Sequence, residues 1–163
     1  LLRIKDLKNN TEEQFVSEVG YPEQAKIDRE DIIYTRTGSL GLVFRNREGI
    51  LHNNSFKVVP TDELSNDYLF WWLQHEGFTK IIIGLASKAA QPDISHKLFK
   101  KQFISVPSLT VQAVYYSQIE KLNEETGSLI NRYKQKGEAL VELKKAILQK
   151  AFAGELTAKD LVI

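Results

Sequence analysis

Residues 109–153 read LTVQAVYYSQIEKLNEETGSLINRYKQKGEALVELKKAILQKAFA, the one long segment with a sustained period and no proline. From Ile119 onward a stripe recurs at spacings of three and four: Ile119, Leu122, Thr126, Leu129, Tyr133, Lys136, Leu140, Leu143, Ile147 and Lys150. That is a heptad a/d pattern, which predicts a helix buried along one narrow seam. Val111, Val114 and Tyr115 carry the apolar face back toward Pro107, where Ser108 and Thr110 suit a helix start, and Gly154 suits its end. At 1.5 Å per residue the helix runs to roughly 60 Å, longer than a domain of this size is wide. Part of the stripe is therefore expected to meet a second helix, from a missing part of this chain or from another chain. Thr126 and Lys136 stand on the stripe and Gly127 and Gly137 interrupt it. They either set register and partner choice or are simple weak spots.

With 163 residues and 42% hydrophobic content, the rest of the chain suffices for one core. No window approaches the roughly 18 apolar residues of a membrane span, and no signal-peptide pattern opens the chain, so a soluble protein is expected. The absence of cysteine excludes disulfides, thiolate nucleophiles and cysteine-bound zinc. A chain that begins at Leu1 and contains no methionine reads as a fragment, incomplete at its N-terminus.

The net charge is only +1, but it is unevenly spread. Residues 34–59 hold Arg36, Arg45, Arg47 and Lys57 against Glu48, and residues 80–101 hold Lys80, Lys88, Lys97, Lys100 and Lys101 against Asp93. If the fold unites these segments they form a face suited to a polyanion. Composition alone favours plain surface charge, since lysine and arginine are mostly exposed in any case.

Taken in order, Leu1–Leu7 alternates apolar and basic residues and predicts a half-buried strand. Residues 8–30 are polar and predict a loop, or a short helix around Glu12–Val19. Short strands are expected at Ile32–Thr35, Leu40–Phe44, Ile50–His52 and Phe56–Val59, joined by tight turns. Ser65 is placed to cap a helix bearing Tyr68, Leu69, Trp72 and Leu73, with Gly77 as its stop. Trp71 and Trp72 cannot both face one core; Trp71 either packs against another element, which the burial of large aromatics favours, or is exposed for binding. Thr79–Leu85 leaves helix and strand open, Ser95 caps a short helix through Phe99, and Gln102–Val106 reads as a strand.

The residues offer little chemistry. His52, His75 and His96 are isolated in sequence, without metal-ligand spacing. Arg36-Thr37-Gly38-Ser39-Leu40-Gly41 lacks the lysine and following hydroxyl of a phosphate loop, and its glycines suit a tight turn. No nucleophile, base and orienting group can be assembled, so the chain is not expected to be an enzyme by itself.

The block Ile104-Ser105-Val106-Pro107-Ser108-Leu109-Thr110-Val111-Gln112, the long helix, and Lys150-Ala151-Phe152-Ala153-Gly154-Glu155-Leu156 closely resemble the specificity subunits of type I restriction–modification systems. There the block typically reads Ile-Pro-Leu-Pro-Pro-Leu-Glu-Glu-Gln and the tail Lys-Ala-Phe-x-Gly-Glu-Leu. This sequence departs at Ser105 and Ser108, where prolines are usual, and at Thr110 and Val111, where glutamates are usual. The segment Asp31–Gly41 is similar to the strand-and-glycine part of the family's target recognition domain.

The resemblance implies an α+β fold: a mixed, mainly-β target recognition domain with short helices at residues 1–107, a coiled-coil-forming spacer helix at 108–154, and a tail at 155–163. It implies recognition of one part of a split double-stranded DNA target, in the cytoplasm. The implied partners are methyltransferase and restriction subunits, and a second half-subunit or second copy through helix pairing, with no membrane. Methylation with S-adenosylmethionine belongs to the other subunits, so no cofactor and no catalytic residue are expected here. The DNA-contact candidates are Arg36, Thr37, Ser39, Arg45, Arg47, Asn53, Asn54, Lys57, Lys88, Lys97 and Lys101, with Arg36 foremost because glycine turns allow close approach. The helix-partner candidates are Ile119, Leu122, Leu129, Tyr133, Leu140, Leu143 and Ile147. Two other classes stay open: a helix-driven scaffold without DNA specificity, and the recognition part of a DNA methyltransferase, whose cofactor and catalytic motifs these residues do not contain.

Overall fold

A computed structural model describes residues 1–17, 19–88 and 90–156. The chain is α+β, with small antiparallel sheets, short helices and one long C-terminal helix. Contacts divide it into two units, residues 1–117 and 118–163.

The first unit is built on strand β2 (Ile32–Thr35), all four residues of which are buried. It is the middle strand of three, with β3 (Val43–Phe44) and β5 (Ser55–Val58) antiparallel on either side. Side chains alternate across a strand, so β2 serves two cores. Ile32 and Tyr34 enter a cluster with Leu69, Leu73, Phe78, Ile82 and Ile94, while Ile33 enters another with Leu2, Leu7, Ile27 and Leu51. Covered on both faces, the strand reads as a continuous apolar run rather than an alternating one. A second ribbon pairs β1 (Lys26–Ile27) with β4 (Gly49–Ile50).

The larger core is closed by helices. Ser65 caps α2 (Asn66–Leu73), its hydroxyl accepting from Tyr68 N–H at 3.2 Å. This helix stops at Leu73, and Gly77 lies inside the next, α3 (Glu76–Ala86), instead of ending the first. Within α3 the buried Phe78, Ile82 and Ala86 recur every four residues, which settles the ambiguous 79–85 segment as helix. Trp72 packs on Phe78 with ring centroids 4.5 Å apart, and half-buried Trp71 meets Phe70 edge-on at 5.4 Å. Ser95 caps the short helix His96–Phe99 in the same manner, accepting from Leu98 N–H.

Two expected strands are not formed. At the start of the chain, Ile4–Asn9 is helical, because the Asp6 carboxylate accepts from Arg3 N–H and binds the Arg3 guanidinium at 2.8 Å, fixing a first helical turn. Only Leu2 keeps a strand-like partner, a bridge to Leu51. Among the described residues no strand lies beside residues 102–106 to pair with them, and they are irregular, with Phe103 exposed.

The long helix spans Leu109–Phe152, 44 residues. Its first turn is tied to the first unit by Gln112, which is fully buried. The Gln112 amide oxygen accepts from Ser65 N–H at 2.8 Å, and its nitrogen donates to the Glu63 and Pro107 carbonyls, each at 2.8 Å. At the far end Gly154 takes φ +75°, and bonds from Glu155 N–H to Lys150 O and from Gly154 N–H to Ala151 O close a Schellman cap. Of the expected tail, residues 157–163 lie outside the described residues.

Candidate nucleic-acid interface

The candidate interface is assembled at the end of β2. Thr35 organises the turn that follows: Leu42 N–H donates to its hydroxyl at 2.9 Å and Gly41 N–H to its carbonyl at 3.0 Å. Gly38 and Gly41 adopt φ +75° and +73°, which only glycine takes freely, and a Cβ on Gly41 would sit 3.4 Å from the Tyr34 hydroxyl. Arg36, next along, laces three segments together. Its N–H donates to the Asn54 carbonyl at 2.8 Å, its own carbonyl accepts from Ile94 N–H at 3.0 Å, and its guanidinium grips Asp93 through two bonds of 2.9 and 2.8 Å. Phe56 on β5 then packs against His96 and Phe99, with ring centroids 4.8 and 5.1 Å apart.

The two basic segments of the sequence are thus joined. Between them lies a cleft of about 840 Å³ whose lining includes Arg36, His52, Asn53, Lys57, His96 and Lys100. Hydrogen bonding to Asp93 raises the affinity of Arg36 for its proton, and the same bonds lower the pKa of Asp93. Lys57 reaches Asp31 at 3.1 Å. Lys97, Lys100 and Lys101 are exposed and make no ion pair among the described residues.

The DNA-contact candidates do not share one place. Arg36, Asn53 and Lys57 line the cleft, Asn54 contributes its carbonyl to the Arg36 lacing, and Lys97 and Lys101 lie in and just after the short helix that bears His96. Thr37 and Ser39 belong to the glycine turn, where the Ser39 hydroxyl accepts from Lys8 Nζ at 2.8 Å. Arg45 lines a separate cavity with Arg29 and Asn46, pairs with Asp67 at 2.9 Å and lies over the Phe70 ring at 4.2 Å. Arg47 is buried, its guanidinium bonded to the Asn10 side chain and to the Thr11 carbonyl at 2.7 Å. Lys88 is exposed beyond the end of α3. His52, His96 and Lys100 join the cleft without having been candidates; a histidine beside Asn53 and a lysine beside Lys101 were the only signals.

On the long helix Leu122, Leu129, Tyr133, Leu140, Leu143 and Ile147 are exposed and Ile119 is half-buried. A second apolar row, Val141, Leu148 and Phe152, runs along the last turns and escaped the heptad reading. Among the described residues no cluster of His, Cys, Asp and Glu is arranged to hold a metal ion, and no helix is long and apolar enough to cross a membrane. The cleft wall carries Arg36, Lys57, Lys100 and the Asn53 amide beside an apolar lining that includes Leu51, Phe56, Val58, Val59 and Phe99.

The described residues thus form an α+β unit whose cleft carries Arg36, Lys57 and Lys100, and the chain runs on into a 44-residue helix. The family model described as the type I restriction modification DNA specificity domain matches residues 1–138, and the chain belongs to that family. The type I restriction enzyme EcoBI specificity subunit of Escherichia coli is 26% identical over 143 residues, covering 83% of this chain and 30% of the relative. The chain therefore spans under a third of that relative's length. No solved structure matches it.

Proposed function

We propose that this chain reads one half of a bipartite double-stranded DNA target for a type I restriction–modification complex, without catalysing a reaction itself. The observation that carries the reading is the union of residues 34–59 and 80–101 around one cleft, in a chain of the DNA specificity domain family. Lys100 and the neighbouring Lys97 and Lys101 neutralise phosphates, while the turn that carries the Asn53 amide and the turn at Arg36–Ser39 approach the bases. Arg45 and Lys88 lie outside this cleft and contribute at most to its periphery, and Arg47 supports the fold from inside. The long helix pairs through Ile119, Leu122, Leu129, Tyr133, Leu140, Leu143 and Ile147 with the helix of a second half, and the pair holds the methyltransferase subunits, with the restriction subunit joining the same cytoplasmic assembly.

The test is DNA binding by the complex containing Lys97→Glu and Lys100→Glu together. Each phosphate contact contributes about 0.9 to the slope of log affinity against log salt, so the double variant should bind more weakly and lose roughly 2 from that slope. Wild-type affinity and slope in the double variant would move the contact surface away from this cleft.

A further inference from the structure

The turn between β4 and β5 is fixed through its backbone and open at one side chain. Leu51 N–H donates to the Ala25 carbonyl at 2.7 Å, His52 N–H to the Leu2 carbonyl at 3.0 Å, and Ser55 N–H to the His52 carbonyl at 3.1 Å. The Asn54 carbonyl accepts from both Arg36 and Thr37, at 2.8 and 3.4 Å. The turn is therefore held by three separate parts of the chain. The Asn53 side chain, in contrast, is exposed and has no hydrogen-bond partner among the described residues. Asparagine in a turn commonly bonds back to its own backbone, and that local bond is not made here.

Reading a base edge needs a side chain on a rigid support, an unengaged donor and acceptor, and cations nearby for the flanking phosphates. Asn53 has all three, with the exposed Lys100 in the same cleft wall and Lys97 and Lys101 beside it in the chain. A carboxamide presents one acceptor and one donor side by side, which matches the N6 amino group and N7 of adenine in the major groove. We infer that Asn53 is a specificity-determining residue that reads one adenine of the half-target, its oxygen accepting from N6 and its nitrogen donating to N7. The inference rests on the proposed DNA-reading role. Asn54, which does not line the cleft, has no such part.

The experiment is to map methylated bases by sequencing DNA from cells that carry the intact complex with its full specificity subunit, for the wild type, Asn53→Ala, Asn53→Asp and Asn54→Ala. Asn53→Ala should relax one position of the half-target from A·T to any base pair and leave every other position unchanged. Asn53→Asp keeps the shape but only accepts, so it should shift that position toward cytosine, whose N4 group donates. Asn54→Ala should methylate the wild-type target. Retention of the same base at every position in both Asn53 variants overturns the inference while leaving the DNA-reading role intact. Loss of all methylation in both variants also overturns it, because removing one base contact changes the sequence read and does not abolish reading. If the wild-type complex methylates no defined split sequence, it is the proposed function that fails.

Discussion

The Arg36 guanidinium holds both oxygens of Asp93, Nε at 2.9 Å and Nη2 at 2.8 Å, across 57 residues of sequence. The arginine foremost in the sequence reading is thus already neutralised by a carboxylate before any phosphate arrives. Asp93→Asn should free one positive charge at the cleft, steepening the salt dependence of DNA binding by roughly 0.9. The same change should cost about 0.5–1 kcal/mol of stability, since the pair is partly exposed and screened. Anisotropy titrations with the complex at several salt concentrations check the first effect and urea unfolding the second; an unchanged slope would place Arg36 away from the DNA.

Gln112 is the joint between the first unit and the start of the long helix. All the hydrogen-bonding groups of its amide that the structure engages go to backbone: Ser65 N–H, Glu63 O and Pro107 O. Gln112→Ala leaves those groups unpaired in a buried place and should destabilise the chain by about 2–3 kcal/mol. Gln112→Glu should cost at least as much, because a carboxylate would face two carbonyls it cannot donate to. A urea midpoint equal to wild type in either variant would remove Gln112 from this role.

Acid should reach the fold through Asp6. Its side chain is fully buried, and hydrogen bonding from Arg3 holds its carboxyl well below the ordinary aspartate value of about 3.9. A depressed folded-state pKa contributes stability that is complete above the unfolded value and is lost as pH falls toward the folded one. The wild type should therefore lose stability more steeply than Asp6→Asn as pH drops below about 4. Urea midpoints measured across that range decide it, and parallel curves would show that the Arg3–Asp6 pair adds nothing to the pH dependence.

The long helix, its glycine stop and both serine-capped helices could be read because their signals are local: a heptad stripe, Gly154, Ser65 and Ser95. The failures are cases where a distant or unsuspected partner decides. The alternation at Leu1–Leu7 is strand-like, yet Asp6 bonding to Arg3 winds it into a helix, and Gln102–Val106 has strand composition with no strand beside it among the described residues. The cleft follows the same rule. Its cations could be counted, but Asp93 and Asp31, which occupy Arg36 and Lys57, lie 57 and 26 residues from them, where spacing gives no hint.

The helix should act as a ruler between the two half-targets. Seven residues inserted between Lys134 and Glu138 preserve the heptad phase and add about 10 Å of helix. At about 3.4 Å per base pair, the unread gap should widen by roughly three base pairs while both half-sites keep their sequences. Where both halves of an assembly carry the insertion, the shift depends on where it falls relative to the pairing. Active complexes that methylate the original target with its original gap would show that this helix does not set the spacing.

The most direct measurement exchanges residues 1–117, the compact unit that keeps Gln112 with its partners, for the matching part of another specificity subunit. The methylated bases are then mapped by sequencing. The half-target contributed by this chain should change to that of the donor, with the gap unaltered because the helix from Gln118 onward is retained. A methylated sequence identical to that of the parent complex would contradict the claim that this chain reads DNA.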